Sequence, residues 1–426
     1  MSSTTTASHK ARTSSRAGAD GADDGTFGGW LRRLESPVTS YYVLLSATVV
    51  LVTMGLIMVT SASSVLSLVQ SNNRTPYLYS QKQLGFAVLG AIAMAFAAHV
   101  PVRRWKALSL FVLVGATFLE LLVFTPLGVR VNGNRNWLAF GPVTLQPSEF
   151  IKLGLVLVGA TVLSARRRQL TRLRNVIVPF LFPVTAVPAA LVLGGGDLGT
   201  TLIIGAVVAG LLFAAGVPVK WFAWAGAIFT VLAITMVATS HNRLGRFDVW
   251  LGKDTNPYGA ARQPIHGRYA LADGGWWGVG LGASREKWSW LPEAHNDFIF
   301  AIVGEELGLP GTLVLLGLFC VLALVCYRIV SRTDDQFVRI ATAGVMAWIV
   351  FQAFVNIGQV IGLLPVIGVP LPLVSYGGSS LTTTMLALGM LLSFARAEPG
   401  CAEVLSAKPS VVRRSLAVLA SRRKQR

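Results

Sequence analysis

YYVLLSATVVLVTMGLIMVTS, residues 41–61, contains no Asp, Glu, Lys, Arg, His or Pro. Wound as an α-helix at 1.5 Å per residue, a run of this length covers the roughly 30 Å hydrocarbon core of a bilayer. Comparable apolar runs recur near 84–100, 107–126, 148–164, 176–193, 199–216, 220–239, 307–327, 339–361 and 379–396. The composition agrees: 53% of the residues are hydrophobic, 13% are charged, and the mean hydropathy is +0.60. Soluble domains of this size do not reach those values. The expectation is an all-α polytopic membrane protein of about ten transmembrane helices, with one large extracytoplasmic loop.

A net charge of +18 and an isoelectric point near 10.5 invite a nucleic-acid reading. The distribution of that charge argues against it. Basic residues gather in alternate connections: Arg103, Arg104 and Lys106; Arg166, Arg167, Arg168, Arg172 and Arg174; Arg328, Arg332 and Arg339; then both tails. That is the positive-inside pattern. It places both termini in the cytoplasm and the long 240–296 connection outside, and no nucleic acid is expected as a partner. Residues 1–39, rich in Ser, Thr, Ala and Gly, read as a disordered cytoplasmic N-tail. Residues 40–396 form the transmembrane domain, and 397–426 a basic cytoplasmic C-tail suited to the membrane surface or to a docking partner. Cys320, Cys326 and Cys401 avoid the predicted outer loops, so no disulfide is expected.

Ionisable residues are scarce, yet they crowd into LPEAHNDFIFAIVGEELG, residues 291–308. Asn296 or Asp297 could simply cap the helix that follows. Capping does not account for Glu293 and His295 beside them, nor for Glu305 and Glu306 further on. Carboxylates at membrane depth are costly and mark functional cavities. The expectation is a water-accessible acidic site at the outer face. The preceding loop holds Trp250, Trp276, Trp277, Trp288 and Trp290, which suit an interfacial belt and also the stacking of sugar rings.

Three other polar groups stand out. In QPSEFIKLG, residues 146–154, Glu149 and Lys152 share one helical face, either as a self-satisfied pair or as substrate contacts. The loop before them, GVRVNGNRNWLAFGP, carries Arg135 and Trp137 between turn-forming glycines. In GGGDLGTT, residues 194–201, Asp197 reads as a helix cap. LLPVIGVPLPLVSYGGSS, residues 363–380, has too many Pro and Gly for a spanning helix. Such irregular backbone is tolerated at membrane depth only where it packs on protein or lines a cavity. Its end offers Ser375, Gly377, Gly378 and Ser379 at a helix start suited to an anion such as a diphosphate.

Taken in order, these motifs resemble the SEDS family (FtsW, RodA and SpoVE), with the wording around 291–308 closest to its division branch, FtsW. The likeness spans roughly 40–400. It implies a peptidoglycan glycosyltransferase that polymerises lipid II into β-1,4 glycan strands at the outer face of the cytoplasmic membrane, at the division septum. It implies Asp297 as the essential carboxylate, and Glu149, Lys152, Ser375, Gly377, Gly378 and Ser379 as motif residues. Arg135, Trp137, His295 and Glu293 complete the expected substrate-binding set. The implied partners are a class B penicillin-binding protein (the crosslinking transpeptidase) and other divisome proteins reached through the tails. No organic cofactor is expected. Asp297 could act as a general base or as ligand to a divalent cation, Mg²⁺ or Mn²⁺, shared with substrate phosphate. A lipid II flippase and a non-catalytic scaffold are the competing readings.

Overall fold

The computed structural model describes residues 36, 38–72, 74–131, 134–141, 143–166, 177–238, 241–401 and 404. Most of both predicted tails lies outside the described residues, as do Arg167, Arg168, Arg172 and Arg174. Every predicted apolar run falls on a helix. These are α1 (Thr39–Gln70), α2 (Leu78–Ala97), α3 (Val102–Leu122) and α4 (Pro147–Ala165). A π-helical segment, Ile177–Thr185, then leads into α5 (Ala186–Gly194), with Pro183 and a non-helical Phe182 marking the kink between them. Next come α6 (Leu198–Ala215), α7 (Lys220–Ala238), α10 (Ile299–Arg332), α11 (Gln336–Val360) and α12 (Gly378–Arg396). Between α7 and α10 the long loop folds two further helices, α8 (His241–Trp250) and α9 (Arg262–Gly274).

Among the described residues, seven helices are long and apolar enough to cross a bilayer: α1, α3, α4, α6, α10, α11 and α12. The membrane-embedded helical class therefore stands, while the count of ten does not follow. The remaining predicted runs fall on α2, on α7 and on the kinked 177–194 segment. In α2 the first turns carry Gln81, Lys82 and Gln83, which dilute its apolar character.

Helices α4, α11 and α12 form the centre, with 72%, 67% and 78% of their apolar windows buried, against 28% for α3. Outer helices instead present side chains such as Phe96, Phe111 and Phe118 to the surroundings, as lipid-facing helices do. Small residues let the central helices approach closely, the main source of affinity between helices in lipid. A β-carbon on Gly154 would sit 2.8 Å from the Leu113 Cα, and one on Gly389 would sit 2.7 Å from the Met94 Cα.

Two features differ from the all-α expectation. The outer loop after α3 is a three-stranded antiparallel sheet: β1 (Gly128–Val131), β2 (Asn134–Phe140) and β3 (Val143–Leu145). Gly128 pairs with Leu138, and Leu138 with Leu145. In the sequence, the Asn-Gly step at 132–133 is a hairpin-turn signal that a loop reading passes over. Second, the span expected over 307–327 begins earlier, at Ile299, because α10 is two helices joined at Gly308. There φ is 66° and ψ is −161°. A side chain at that left-handed position would be strained, and its β-carbon would meet the Gly278 nitrogen at 2.4 Å. Residues 275–280 run past the break, with Val279 N donating to Glu305 O at 2.9 Å and Leu309 N to Gly275 O at 3.2 Å.

Candidate active site

The acidic stretch enters α10 through a tight turn. Glu293 takes a left-handed φ of 56°. Its carbonyl then accepts from Asn296 N at 3.0 Å and Phe298 N at 3.2 Å. This places Asp297 at the mouth of the short first half of α10, before the break at Gly308. The Asp297 backbone is held by α11, whose Asn356 and Gln359 amides donate to its carbonyl at 2.9 and 3.3 Å. Asp297 makes no side-chain cap, and its Oδ1 is buried without a hydrogen-bond partner. Burial raises its carboxyl to a pKa of about 7; Glu293 and Asp197 push in the same direction, and Arg246 opposes them.

Segment 363–380 lies over this carboxylate, irregular and largely buried as its prolines require. Its backbone groups are satisfied by a row of amides on α11. Gln352 donates to Pro370 O at 2.9 Å, and Asn356 to Val369 O at 2.7 Å. Gln359 Oε1 accepts from Ile367 N at 3.0 Å and Gly368 N at 3.3 Å. Gly368 has a φ of 84°, and a β-carbon there would lie 3.4 Å from Asp297 Oδ2 and 3.9 Å from Arg246 Nη1. The missing side chain thus leaves a gap bordered by a carboxylate and a guanidinium.

An aromatic cluster surrounds His295, two residues before Asp297. The His295 ring packs 4.8 Å from Tyr79 and 5.4 Å from Tyr376 between centroids, and burial lowers the His295 pKa, so the ring is held neutral. Tyr376 N donates to His295 O at 2.9 Å, and Ser375 Oγ donates to Asn296 O at 2.7 Å. Gln83 of α2 clasps the same segment, donating to Ser375 O at 3.1 Å and accepting from Gly377 N at 3.3 Å. Gly378 packs flat on Phe86.

The remaining predicted residues lie around this centre. Ser379 Oγ accepts from Gln146 N at 3.0 Å, and the Gln146 side chain reaches Asp197 Oδ2 at 2.9 Å. Asp197 caps α6, accepting from Thr200 N at 2.8 Å. Lys152 and Glu149 form a buried pair at 2.9 Å. Lys152 also donates to Gln352 at 3.0 Å and sits 4.6 Å over Trp348, so the pair is tied through Gln352 to Pro370. Arg135 donates to Thr125 O at 2.6 Å, while its backbone N bonds Gly195 O at 2.8 Å and docks the sheet. Trp137 lies half-buried on β2, opposite Val129.

Glu305 and Glu306, expected in the acidic opening, instead anchor the loop. Glu305 accepts from Ser284 Oγ and Arg285 N, each at 2.6 Å. Glu306 Oε1 accepts from Ser61 Oγ at 2.5 Å and pairs with Lys287 at 3.3 Å. Sequence reasoning passed over Gln83, Gln352, Asn356, Gln359 and Arg246. The spacing of 352, 356 and 359 puts three amides on one face of an apolar span, a readable sign of a buried polar seam. Arg246 carries no comparable signal.

Comparison with known proteins places the chain in a family. The family model for cell cycle proteins of the FtsW, RodA and SpoVE type matches residues 42–399. A probable peptidoglycan glycosyltransferase FtsW from Mycobacterium tuberculosis is 39% identical over 382 residues, covering 89% of this chain and 72% of that protein. Stage V sporulation protein E from Bacillus subtilis is 37% identical over 356 residues, covering 83% and 96%. A chain from a peptidoglycan synthase complex that coordinates polymerization and crosslinking superposes with a TM-score of 0.69 at 25% identity, covering 84% of this chain and 98% of that one. A mutant form of Thermus thermophilus rod shape determining protein RodA gives a TM-score of 0.63 at 25% identity, covering 84% and 97%. The chain belongs to the FtsW/RodA/SpoVE family of membrane-embedded cell cycle proteins.

Proposed function

We propose that this protein is a peptidoglycan glycosyltransferase that polymerises lipid II at the outer face of the cytoplasmic membrane, at the division septum and with both termini inside. The observation that carries the reading is Asp297: a half-buried residue whose carboxylate has one buried, unpartnered oxygen and a pKa of about 7, where the long loop meets a spanning helix. There a lipid-linked sugar can reach it while its tail stays in the bilayer. The names and identities of the relatives support the same reading.

In the proposed step, the 4-hydroxyl oxygen of one sugar bonds to the anomeric carbon of another. Asp297 accepts the hydroxyl proton, the bond from the anomeric carbon to the diphosphate oxygen breaks, and the diphosphate departs with the electron pair. A positioned base of this kind contributes about 10²–10⁴ in rate. The neutral His295 and the tyrosines beside it offer a face for the acceptor sugar. Among the described residues no three His, Cys, Asp or Glu side chains gather into a metal cage. One carboxylate with a free oxygen does fit Mg²⁺ or Mn²⁺, which take their other ligands from water and phosphate. Bound there, the cation would supply positive charge to the diphosphate. The crosslinking partner is a class B penicillin-binding protein, in keeping with the synthase complex whose chain this fold matches.

The purified protein, with that partner and fluorescent lipid II in vesicles, tests the proposal. Glycan polymer is the expected product. Translocated but unpolymerised lipid II would replace the proposal with a flippase, and neither result with a scaffold.

A further inference from the structure

Two groups stand near Asp297. One is aromatic, the rings of His295, Tyr79 and Tyr376 packed together. The other is basic: α8 brings Arg243 and Arg246 to the irregular segments that flank the site. Arg243 donates to Gly196 O at 2.9 Å and so is bound into the turn before α6. Arg246 is different. It is exposed, and its Nη1 makes only long contacts, 3.3 Å to Val366 O and 3.5 Å to Ile367 O. Its guanidinium borders the gap left by Gly368, which Asp297 Oδ2 borders as well. A guanidinium has five N–H donors in a planar fork matched to phosphate oxygens. Of the two cations the motifs single out, Lys152 is buried and committed to Glu149 and Gln352, and Arg135 donates to Thr125 O.

We propose that Arg246 is the residue that receives the diphosphate of the donor lipid beside Gly368, which makes the α8 end of the site the donor subsite and leaves the aromatic group to the acceptor. This rests on the glycosyltransferase reading and adds the polarity of the site to it. As the bond to the anomeric carbon breaks, the electron pair and the negative charge pass to the diphosphate oxygen. A charged donor already aimed at that oxygen stabilises the transition state more than the ground state, and loss of one such donor costs about 10²–10³ in rate. Lysine at this position keeps the charge but loses the fork, so it should keep part of the activity.

The experiment uses the full chain with its crosslinking partner in nanodiscs. Lipid II turnover is compared for wild type, Arg246→Gln, Arg246→Lys and a nearby surface control, Arg268→Gln. Binding of undecaprenyl diphosphate and of the uncharged undecaprenol is measured in parallel. The expected result is a fall of about 10²-fold or more in kcat for Arg246→Gln, partial recovery in Arg246→Lys, and no change in the control. Affinity for the diphosphate should fall by about tenfold or more, while affinity for the alcohol stays level. If Arg246→Gln binds the diphosphate as wild type does, or loses both ligands equally, the assignment is overturned while polymerisation by wild type stands. If wild type itself makes no polymer, the glycosyltransferase reading fails first, and that outcome is distinct.

Discussion

At the scale of the single residue, the proposed chemistry rests on Asp297. A carboxyl held at about pH 7 is protonated below that value and cannot take a proton, so kcat/KM for polymerisation should rise about tenfold per pH unit below 7 and level off above about 8. A pH profile that stays flat from about 5 to 8 would exclude titration of this base. Gly368 sets the space beside it. Gly368→Ala places a methyl group against the carboxylate at a φ of 84°, which costs about 1–2 kcal/mol of backbone strain and narrows the gap. Turnover should fall far more than thermal stability does; a variant with normal turnover would show that the gap is not used. Asp297 was legible in the sequence because carboxylates are rare in an apolar chain and four of them crowded into one stretch. Arg246 was not legible, because an arginine in a polar outer loop is unremarkable until the fold brings Gly368 over Asp297.

At the scale of elements, buried polar side chains do what regular backbone hydrogen bonding cannot. Segment 363–377 is neither helix nor strand, and Gln352, Asn356 and Gln359 of α11 supply donors and acceptors to its backbone. The irregularity of that segment was readable from its prolines, but its anchor was not, since it lies on a helix whose run reads as apolar. The sheet before α4 is harder to read from sequence, because its strands are short and β2 opens on three consecutive polar residues. The Glu149–Lys152 pair was read as either a self-satisfied bridge or a substrate contact, and its burial yields a direct comparison. Lys152→Met strands the Glu149 carboxylate in the helix core and should destabilise the protein by about 3–5 kcal/mol, whereas Glu149→Gln with Lys152→Met should recover most of that loss. Thermal unfolding in detergent measures both. A double variant no more stable than the single one would mean that Lys152 is held by Gln352 and Trp348 instead of by its charge partner.

At the scale of the whole molecule, the apolar runs placed the helices closely, while the proposed orientation rests on the charge pattern. Those signals are strong because lipid leaves few alternatives to a helix. The number of spans was less legible, because kinked or polar-ended helices such as 177–194 and α2 blur the measure that a bilayer imposes. The fold then gathers four separated stretches, 146–152, 194–201, 291–298 and 363–380, around one carboxylate at the outer end of the bundle. The claim that this carboxylate polymerises lipid II is tested most directly by Asp297→Asn in the purified complex with the crosslinking partner. The substitution keeps size and shape, so insertion, abundance and partner binding should be unchanged. Polymerisation of fluorescent lipid II should fall by at least about 10²-fold; an Asp297→Asn protein that polymerises lipid II at the wild-type rate would contradict the account.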